Sequence, residues 1–189
     1  MRAQIAISRN RYMNPGRAPE LWRALAPVPR FERAVREVSR MLTEAGIRHA
    51  LVGALAANAY RQRPRTTEDI DFLVGDEAFE AHPGGFVTMR VPVIEFDGIE
   101  IDQVPLTESL RPIENMLDSA PRSEGVPIAP LDAIVVMKLI AGRTQDLADV
   151  EAIVSAGADR EVLTTAVGRA APDRVDKLRQ LFGNVDRDR

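Results

Sequence analysis

The chain has 189 residues and a formal net charge of −3, and 45% of its residues are hydrophobic. This length and apolar content suit one domain with a buried core, and they exclude an intrinsically disordered chain. Cysteine is absent and His49 and His82 are the only histidines, which excludes disulfides, makes a zinc enzyme improbable and leaves oxygen-ligated Mg²⁺ or Mn²⁺ open.

Charge and hydropathy bear on location and partners. No window resembles a signal peptide, and no apolar run reaches the roughly 18 residues that span a bilayer, so we expect a cytoplasmic protein without a membrane partner. Residues 1–50 hold ten arginines and four acids, net +6, whereas the remainder carries −9. A basic face of this kind can attract RNA or DNA phosphates, although solvated arginines on helix surfaces are the commoner explanation.

The N-terminal half predicts alternating helices and strands. Residues 1–29 have weak periodicity and predict an arm with a short helix around Trp22. From Phe31 the apolar residues follow helical spacing, and this amphipathic helix is predicted to stop at Gly46. Next come a strand at residues 49–52 and a helix at 53–61. A turn around Pro64 then leads to a second strand at 69–74.

The C-terminal half predicts strands followed by helices. The pieces GFVTMR, PVIEF and GIEIDQV predict strands, and Asp97-Gly98 predicts a hairpin turn between the last two. The segment ESLRPIENMLDSA is ambiguous because Pro112 interrupts its helical pattern, and SEGVPIAP predicts an extended stretch. Helices are then predicted at residues 131–141, after Thr144, at 159–169 and at 173–182.

These elements predict an α/β (α+β) fold, in which a small mixed sheet is flanked by helices. We divide the chain into an N-terminal arm (1–29), a core (30–128) and a C-terminal helical region (129–189). The helical region is expected to pack as one compact unit with the core.

Three acids carry the prediction of function. In a strand, side chains two residues apart share a face, so Asp69 and Asp71 should stand together while Ile70 and Phe72 face the core. Asp102 lies on a later predicted strand. An isolated Asp-x-Asp is usually a solvated strand edge or turn, but carboxylates in so apolar a strand favour metal binding. We predict that Asp69, Asp71 and Asp102 hold divalent metal for phosphoryl or nucleotidyl transfer, with Asp102 as third ligand or general base.

A glycine precedes this pattern at a predicted strand-to-helix junction. Gly53 would let the backbone approach nucleotide phosphates, and the helix N-terminus would add unpaired N–H groups. The alternative is that Gly53 simply begins a helix.

Lys138 is a cation within a helix that is apolar on every side. Such a placement is costly unless an anion compensates, and either a triphosphate or the aspartates could do so. A lysine that reaches out to solvent is the alternative.

Further charged residues surround these two features. Asp146 and Asp149 lie one helical turn apart, so their carboxylates can share a face. In a structural account, Thr144 caps this helix and both acids lie near its positive N-terminal end. In a functional account, Asp146 pairs with Lys138 or with the acceptor. In the loop before the strand, Arg65 and its neighbours Arg61 and Arg63 would contact phosphate or RNA, or be solvent-exposed.

The segments LVGALAANAYRQRPRTTEDIDFLV and AIVVMKLIAGRTQDLADVEAI resemble the DNA polymerase beta-like nucleotidyltransferase superfamily, over residues 48–155. They look especially like the bacterial abortive-infection (AbiEii-like) and toxin–antitoxin type. The superfamily pattern is a Gly-Gly or Gly-Ser helix start, an Asp-x-Asp strand and a third acid, which Gly53, Asp69, Asp71 and Asp102 match. Ala54 departs from it, because no serine hydroxyl is present there to contact phosphate.

The resemblance implies magnesium-dependent transfer of a nucleoside monophosphate from a nucleoside triphosphate, with tRNA or a protein as acceptor and a cognate antitoxin as a possible partner. It also implies a functional role for Lys138 and Asp146. The predicted nucleotide-binding residues are Gly53, Ala54, Thr67 and Lys138. Two alternatives stay open: transfer to a lincosamide or aminoglycoside antibiotic, and a non-catalytic, nucleotide-binding or antitoxin-like relative.

Overall fold

A computed structural model describes residues 29–187. Most of the predicted arm, including the helix around Trp22, lies outside the described residues. The strands are β1 (His49–Leu51), β2 (Asp69–Val74), β3 (Phe79–Ala81), β4 (Val87–Met89), β5 (Glu95–Phe96), β6 (Ile99–Pro105), β7 (Arg122–Ser123) and β8 (Val126–Pro127). The α-helices are α1 (Pro29–Glu44), α2 (Gly53–Asn58), α3 (Met116–Ser119), α4 (Leu131–Ala141), α5 (Thr144–Ser155), α6 (Arg160–Ala170) and α7 (Val175–Arg187).

The central sheet has four strands in the order β1-β2-β6-β5. β2 and β6 are parallel, whereas β1 pairs with β2 and β5 pairs with β6 in antiparallel fashion. β3–β4 and β7–β8 form two separate two-stranded ribbons. A small mixed sheet combined with helices confirms the predicted fold class.

Helix α1 covers the predicted amphipathic segment. Its buried residues recur at helical spacing and are Phe31, Ala34, Val35, Val38, Ser39 and Leu42. The chain leaves the helix through Gly46, whose φ of +69° is one that glycine adopts without strain. The Ile47 N–H then donates to the Leu42 carbonyl at 2.9 Å, which closes the helix end before β1 begins.

Several predicted elements are shorter in the structure, among them the helix from Gly53 and the strands in GFVTMR and PVIEF. The helix from Gly53 ends at Asn58 instead of about Arg61, because the Asn58 side chain bonds both backbone groups of Arg65 and folds the chain back. In PVIEF only Glu95–Phe96 forms a strand. The side-chain amide of Gln103 donates to the carbonyls of the two valines, 91 and 93, that precede this strand.

A tight turn connects β5 to β6 and contacts α1. Asp97 and Gly98 both have positive φ, as a two-residue type I′ hairpin requires, which confirms the predicted turn between β5 and β6. Arg33 of α1 donates to Asp97. The ambiguous segment before β7 forms a 3₁₀ turn (Glu108–Ile113) followed by the short helix α3.

Helix α4 is the buried element of the helical layer. It begins after Pro130 and ends before Gly142, which has φ +65°, so its bounds are those predicted for the helix at 131–141. Thr144 does not cap α5, since Arg143 is the N-cap residue and no side chain caps that helix end. One apolar core includes buried residues from α1 through α7. Within residues 29–187, no helix is long and apolar enough to cross a membrane.

Candidate functional site

Three carboxylates meet on one face of the sheet. In the parallel pair β2–β6, Asp71 stands opposite Asp102, and Asp69 precedes Asp71 by two residues on the same face. One carboxylate oxygen from each lies within 4.8 Å of the others. Ile70 and Phe72 are fully buried, as strand alternation predicts. We call Asp69, Asp71 and Asp102 the carboxylate cluster; its hard oxygen donors suit Mg²⁺ or Mn²⁺.

Asp71 is the member of the cluster whose ionisation is hardest to sustain. Burial raises its pKa to about 6, and the negative charges of Asp69 and Asp102 add to this effect. The positive charges of Lys138 and Arg143 oppose it. A divalent cation would favour the ionised form further, because it brings positive charge directly to the oxygens.

Gly53 is required by the position of Asp71. A Cβ atom on Gly53 would lie 1.7 Å from Oδ2 of Asp71, and φ at this residue is +64°. Both the space and the backbone conformation therefore exclude other residues at the start of α2. The sequence pattern predicted room for phosphate here, whereas the structure shows that the glycine makes room for a carboxylate of the cluster. Phosphate binding by the backbone of Gly53 and Ala54 stays a prediction.

Thr67 orients one member of the cluster. Its hydroxyl donates a hydrogen bond to a carboxylate oxygen of Asp69. Such contacts hold metal-binding carboxylates in a defined direction. The direct contact between Thr67 and nucleotide stays a prediction beside this observed role.

A cleft of about 190 Å³ opens next to the cluster. One part of its wall is charged, with Asp71, Lys138, Arg143 and Asp146, and the rest is mainly apolar. The remaining lining residues are Val52, Gly53, Val104, Thr107, Ser109, Leu110, Ile134, Met137, Ile140 and Ala141. An apolar wall with a few polar groups at one side is typical of a small-molecule site.

Lys138 does not reach solvent. Only 5% of it is exposed, and its Nζ donates to Asp146 Oδ1 at 3.2 Å and to Asp149 Oδ2 at 2.7 Å. The pairing of Lys138 with Asp146, one of the alternatives from the sequence, is therefore observed, and the solvent-reaching alternative is wrong. A phosphate contact by Lys138 stays a prediction, which its place in the cleft wall permits.

Asp149 receives cations from two directions. Arg65 bonds both oxygens of its carboxylate, with Nε at 3.0 Å from Oδ1 and a terminal nitrogen at 3.2 Å from Oδ2. Arg61 donates to Oδ1 as well. Arg61 and Arg65 are thus bound to Asp149 and not free in solvent, whereas Arg63 is exposed. We call Lys138, Asp146, Asp149, Arg61, Arg65 and Arg143 the ion-pair network.

The sequence interpretation missed Arg143. Its Nε donates to Asp146 Oδ2 at 2.6 Å, yet 80% of its side chain is exposed, so it joins the network and still borders the cleft. An arginine placed between a buried lysine and an aspartate pair was the available signal.

Two hydroxyls in the cleft wall were also missed. Thr107 and Ser109 lie just beyond the end of β6, and their side-chain oxygens are 3.0 Å apart. The signal was their position, since ligands often bind beyond the carboxyl ends of parallel strands.

The sheet face beside the cluster remains acidic. Glu100 stands opposite both Asp69 and Glu95 in the strand pairs, so these three acids share a face. Within residues 29–187, Glu95 and Glu100 form no ion pair.

The described arginines of the predicted basic face are largely engaged. Arg33 pairs with Asp97, and Arg40 pairs with two acids of its own helix. Arg48 contacts three acids, Glu77, Glu114 and Asp118. Positive charge on this part of the chain is therefore mostly neutralised locally.

Comparison with known proteins leaves the family open. No protein-family model and no curated protein matches the chain. Among solved structures, it is similar to an antigenic nucleotidyltransferase-like protein from Paracoccidioides brasiliensis, with 18% sequence identity and a TM-score of 0.43. The match covers 80% of this chain and 93% of that one. A likeness at this level establishes neither family nor activity.

Proposed function

We propose that this protein is a metal-dependent nucleotidyltransferase, which moves a nucleoside monophosphate from a nucleoside triphosphate to an acceptor hydroxyl. The observation that carries the proposal is the carboxylate cluster, in which Asp71 lies directly against Gly53 and lines the neighbouring cleft. Asp69, Asp71 and Asp102 would hold Mg²⁺ or Mn²⁺, which supplies Lewis-acid stabilisation of phosphate oxygens. Three acids held this close together, one of them largely buried, favour a cation.

The cleft suits a ligand with an apolar ring and an anionic tail. Apolar residues such as Val104, Leu110 and Met137 would contact the nucleoside. Lys138 and Arg143 would face the phosphates, because their charges border the cleft beside Asp71. Thr67 keeps Asp69 oriented while the substrate binds.

The reaction balances with these residues alone as acid–base groups. The acceptor hydroxyl oxygen forms a bond to the α-phosphorus, and the bond from that phosphorus to the β-phosphate bridging oxygen breaks. Pyrophosphate leaves with that electron pair. Asp102, the most exposed member of the cluster, would accept the hydroxyl proton as general base. If Asp102 instead serves as third metal ligand, solvent water would take that proton.

For the acceptor we propose first a tRNA or a protein, within a toxin–antitoxin or phage-defence system. The sequence resemblance supports this acceptor class and implies a cognate antitoxin. Arg63 is exposed in the loop before β2, and Arg143 borders the cleft with 80% of its side chain exposed, so both could meet an RNA backbone.

A second acceptor class is favoured by one observation of the structure. Glu95 and Glu100 extend the negative charge of the cluster along the open sheet face, where they would attract a cationic small molecule and repel RNA phosphates. An aminoglycoside-type antibiotic fits that surface better than a nucleic acid does.

The test is transfer of label from nucleoside triphosphates. The protein is incubated with each α-labelled nucleoside triphosphate, Mg²⁺ and, separately, total tRNA, cell protein, a lincosamide and an aminoglycoside. We expect wild type to label one acceptor class and Asp69→Ala to label none. If no acceptor is labelled above the Asp69→Ala background although metal and nucleotide bind, the protein is a non-catalytic relative and the enzyme proposal fails.

A further inference from the structure

Asp149 is a fully buried carboxylate that takes part in none of the chemistry described above. It has 0% exposure and lies in α5, one turn after Asp146. Three cations, Arg61, Arg65 and Lys138, donate to its two oxygens. Burial raises the pKa of Asp149, but hydrogen bonds from Arg65 and Lys138 and their charges outweigh this and hold it below its usual value.

One set of contacts leads from Asp149 to the carboxylate cluster. Arg65 grips both carboxylate oxygens, and its own backbone is held by the side chain of Asn58, at 3.0 Å through N–H and 2.8 Å through C=O. Two residues later Thr67 donates to Asp69. The loop between α2 and β2 is therefore held in place at Arg65, two residues before Thr67, which orients Asp69.

A second set of contacts leads to the cleft. Lys138 Nζ lies 2.7 Å from Asp149 and 3.2 Å from Asp146, and the lysine borders the cleft beside Asp71. Its ammonium is thus held in a fixed direction by two carboxylates. Without Asp149, the remaining partner Asp146 would also be shared with Arg143.

We propose that Asp149 is a positioning residue that acts on both halves of the site: through Arg65 and Thr67 on the orientation of Asp69, and through Lys138 on the cation that faces the phosphates. The proposal rests on the proposed function for its second half. The first half concerns metal affinity and stands apart from transfer. Contacts to metal-binding side chains that are one step removed typically change metal affinity or activity 10- to 100-fold.

The experiment measures Mn²⁺ dissociation constants by electron paramagnetic resonance on the full chain, for wild type, Thr67→Val, Arg65→Gln and Asp149→Asn. Each variant is studied at a temperature at which circular dichroism shows it folded. We expect about 10-fold weaker Mn²⁺ binding for all three variants. Arg48→Gln is the matched control, since it also breaks a half-buried, multi-acid arginine cluster, but one that contacts no residue of the site.

Kinetics of nucleotidyl transfer then separate the two sets of contacts. Asp149→Asn should raise the KM for nucleoside triphosphate several-fold, whereas Arg65→Gln should leave that KM near wild type, because Lys138 keeps both aspartates. If Arg65→Gln and Asp149→Asn lose stability like Arg48→Gln but bind Mn²⁺ with wild-type affinity, Asp149 is merely structural and the proposal is wrong. If Mn²⁺ affinity falls as expected in a protein that transfers no nucleotide, the proposed function fails and the positioning role toward the cluster stands. If wild type binds no Mn²⁺, both the proposed function and the positioning role are overturned. If Asp149→Asn does not fold, the Mn²⁺ affinity of Arg65→Gln decides whether the positioning role holds.

Discussion

The carboxylate cluster and the ion-pair network border the same cleft, and they balance charge in opposite ways. In the network, every carboxylate bonds at least two cations, and Asp149 bonds three. In the cluster, three carboxylates crowd together, and their hydrogen-bond partner among the described side chains is Thr67. A buried charge is stable only when it is compensated. The network is complete as folded, whereas the cluster carries an excess of negative charge that a cation from outside the chain could balance.

Substitution within the carboxylate cluster should have the largest effect, which is on the rate of nucleotidyl transfer. Asp71→Asn should lower the rate of nucleotidyl transfer by at least 10²- to 10³-fold, because it removes charge that the transition state relies on. The measurement is the initial rate of transfer to whichever acceptor the labelling experiment identifies. Glu100→Gln is the matched control, since Glu100 lies on the same acidic face but outside the cluster, and at saturating acceptor its rate should stay within about twofold of wild type. Equal losses in the two variants would mean that general surface charge matters and not a metal site.

Substitution within the ion-pair network should mainly lower the free energy of unfolding. Lys138→Met removes a buried cation and leaves Asp146 and Asp149 with arginines alone, which we expect to cost about 3 kcal/mol of unfolding free energy. Urea denaturation measures this cost. Arg179→Met breaks the exposed pair with Asp176 and should change stability by no more than the error of the measurement. A Lys138→Met variant as stable as Arg179→Met would show that the network is not a complete, buried unit.

Substitution of Gly53 tests the close contact between the start of α2 and Asp71 of the cluster. Gly53→Ala would place Cβ against Asp71 and force a side chain into positive φ, so we expect a loss of about 2 kcal/mol and Mn²⁺ binding at least about 10-fold weaker. Gly46→Ala is the control, because φ is +69° there but no atom lies within 4 Å of the added Cβ. It should cost about 1 kcal/mol and leave Mn²⁺ affinity unchanged. Similar Mn²⁺ affinities in both variants would contradict the steric role of Gly53.

The smallest predicted effect is a pH dependence of stability in the metal-free protein. The pKa of Asp71 is raised from 3.8 to about 6, so the folded state binds this proton more tightly than the unfolded state. Its contribution to stability is complete below pH 3.8 and is lost as pH rises through about 6.

Asp71→Asn replaces this ionisable carboxyl group with an amide that does not titrate. In EDTA, the unfolding free energy of Asp71→Asn relative to wild type should rise by about 2 kcal/mol between pH 4 and 7. Saturating Mg²⁺ should abolish the advantage of the variant, because metal binding stabilises wild type. A difference that is flat with pH would mean that the ionised carboxylate is not penalised by burial.

Local patterns were sufficient for much of the fold. Strand alternation placed Asp69 and Asp71 on one face with Ile70 and Phe72 in the core, and the Asp97-Gly98 pair predicted its hairpin. The predicted bounds of α4, residues 131–141, are the observed ones. Each of these depends on residues adjacent in sequence, where backbone preference and periodicity act directly.

Contacts between distant segments could not be predicted in the same way. The end of α2 at Asn58 depends on a side chain that bonds Arg65, and the short β5 depends on Gln103 holding the chain before it. Such contacts are set by packing, and no local pattern records them.

The sequence by itself therefore determined which carboxylates share a strand face and that a glycine precedes them, since both are local properties of the chain. Tertiary structure alone decided the rest. The parallel pairing of β2 with β6 brought Asp102 to Asp71, and the packing of α4 and α5 against the loop before β2 gave Asp149 its three cations. The reason is physical: strand register and buried charge pairing join segments that lie tens of residues apart, and only the folded core fixes their distances.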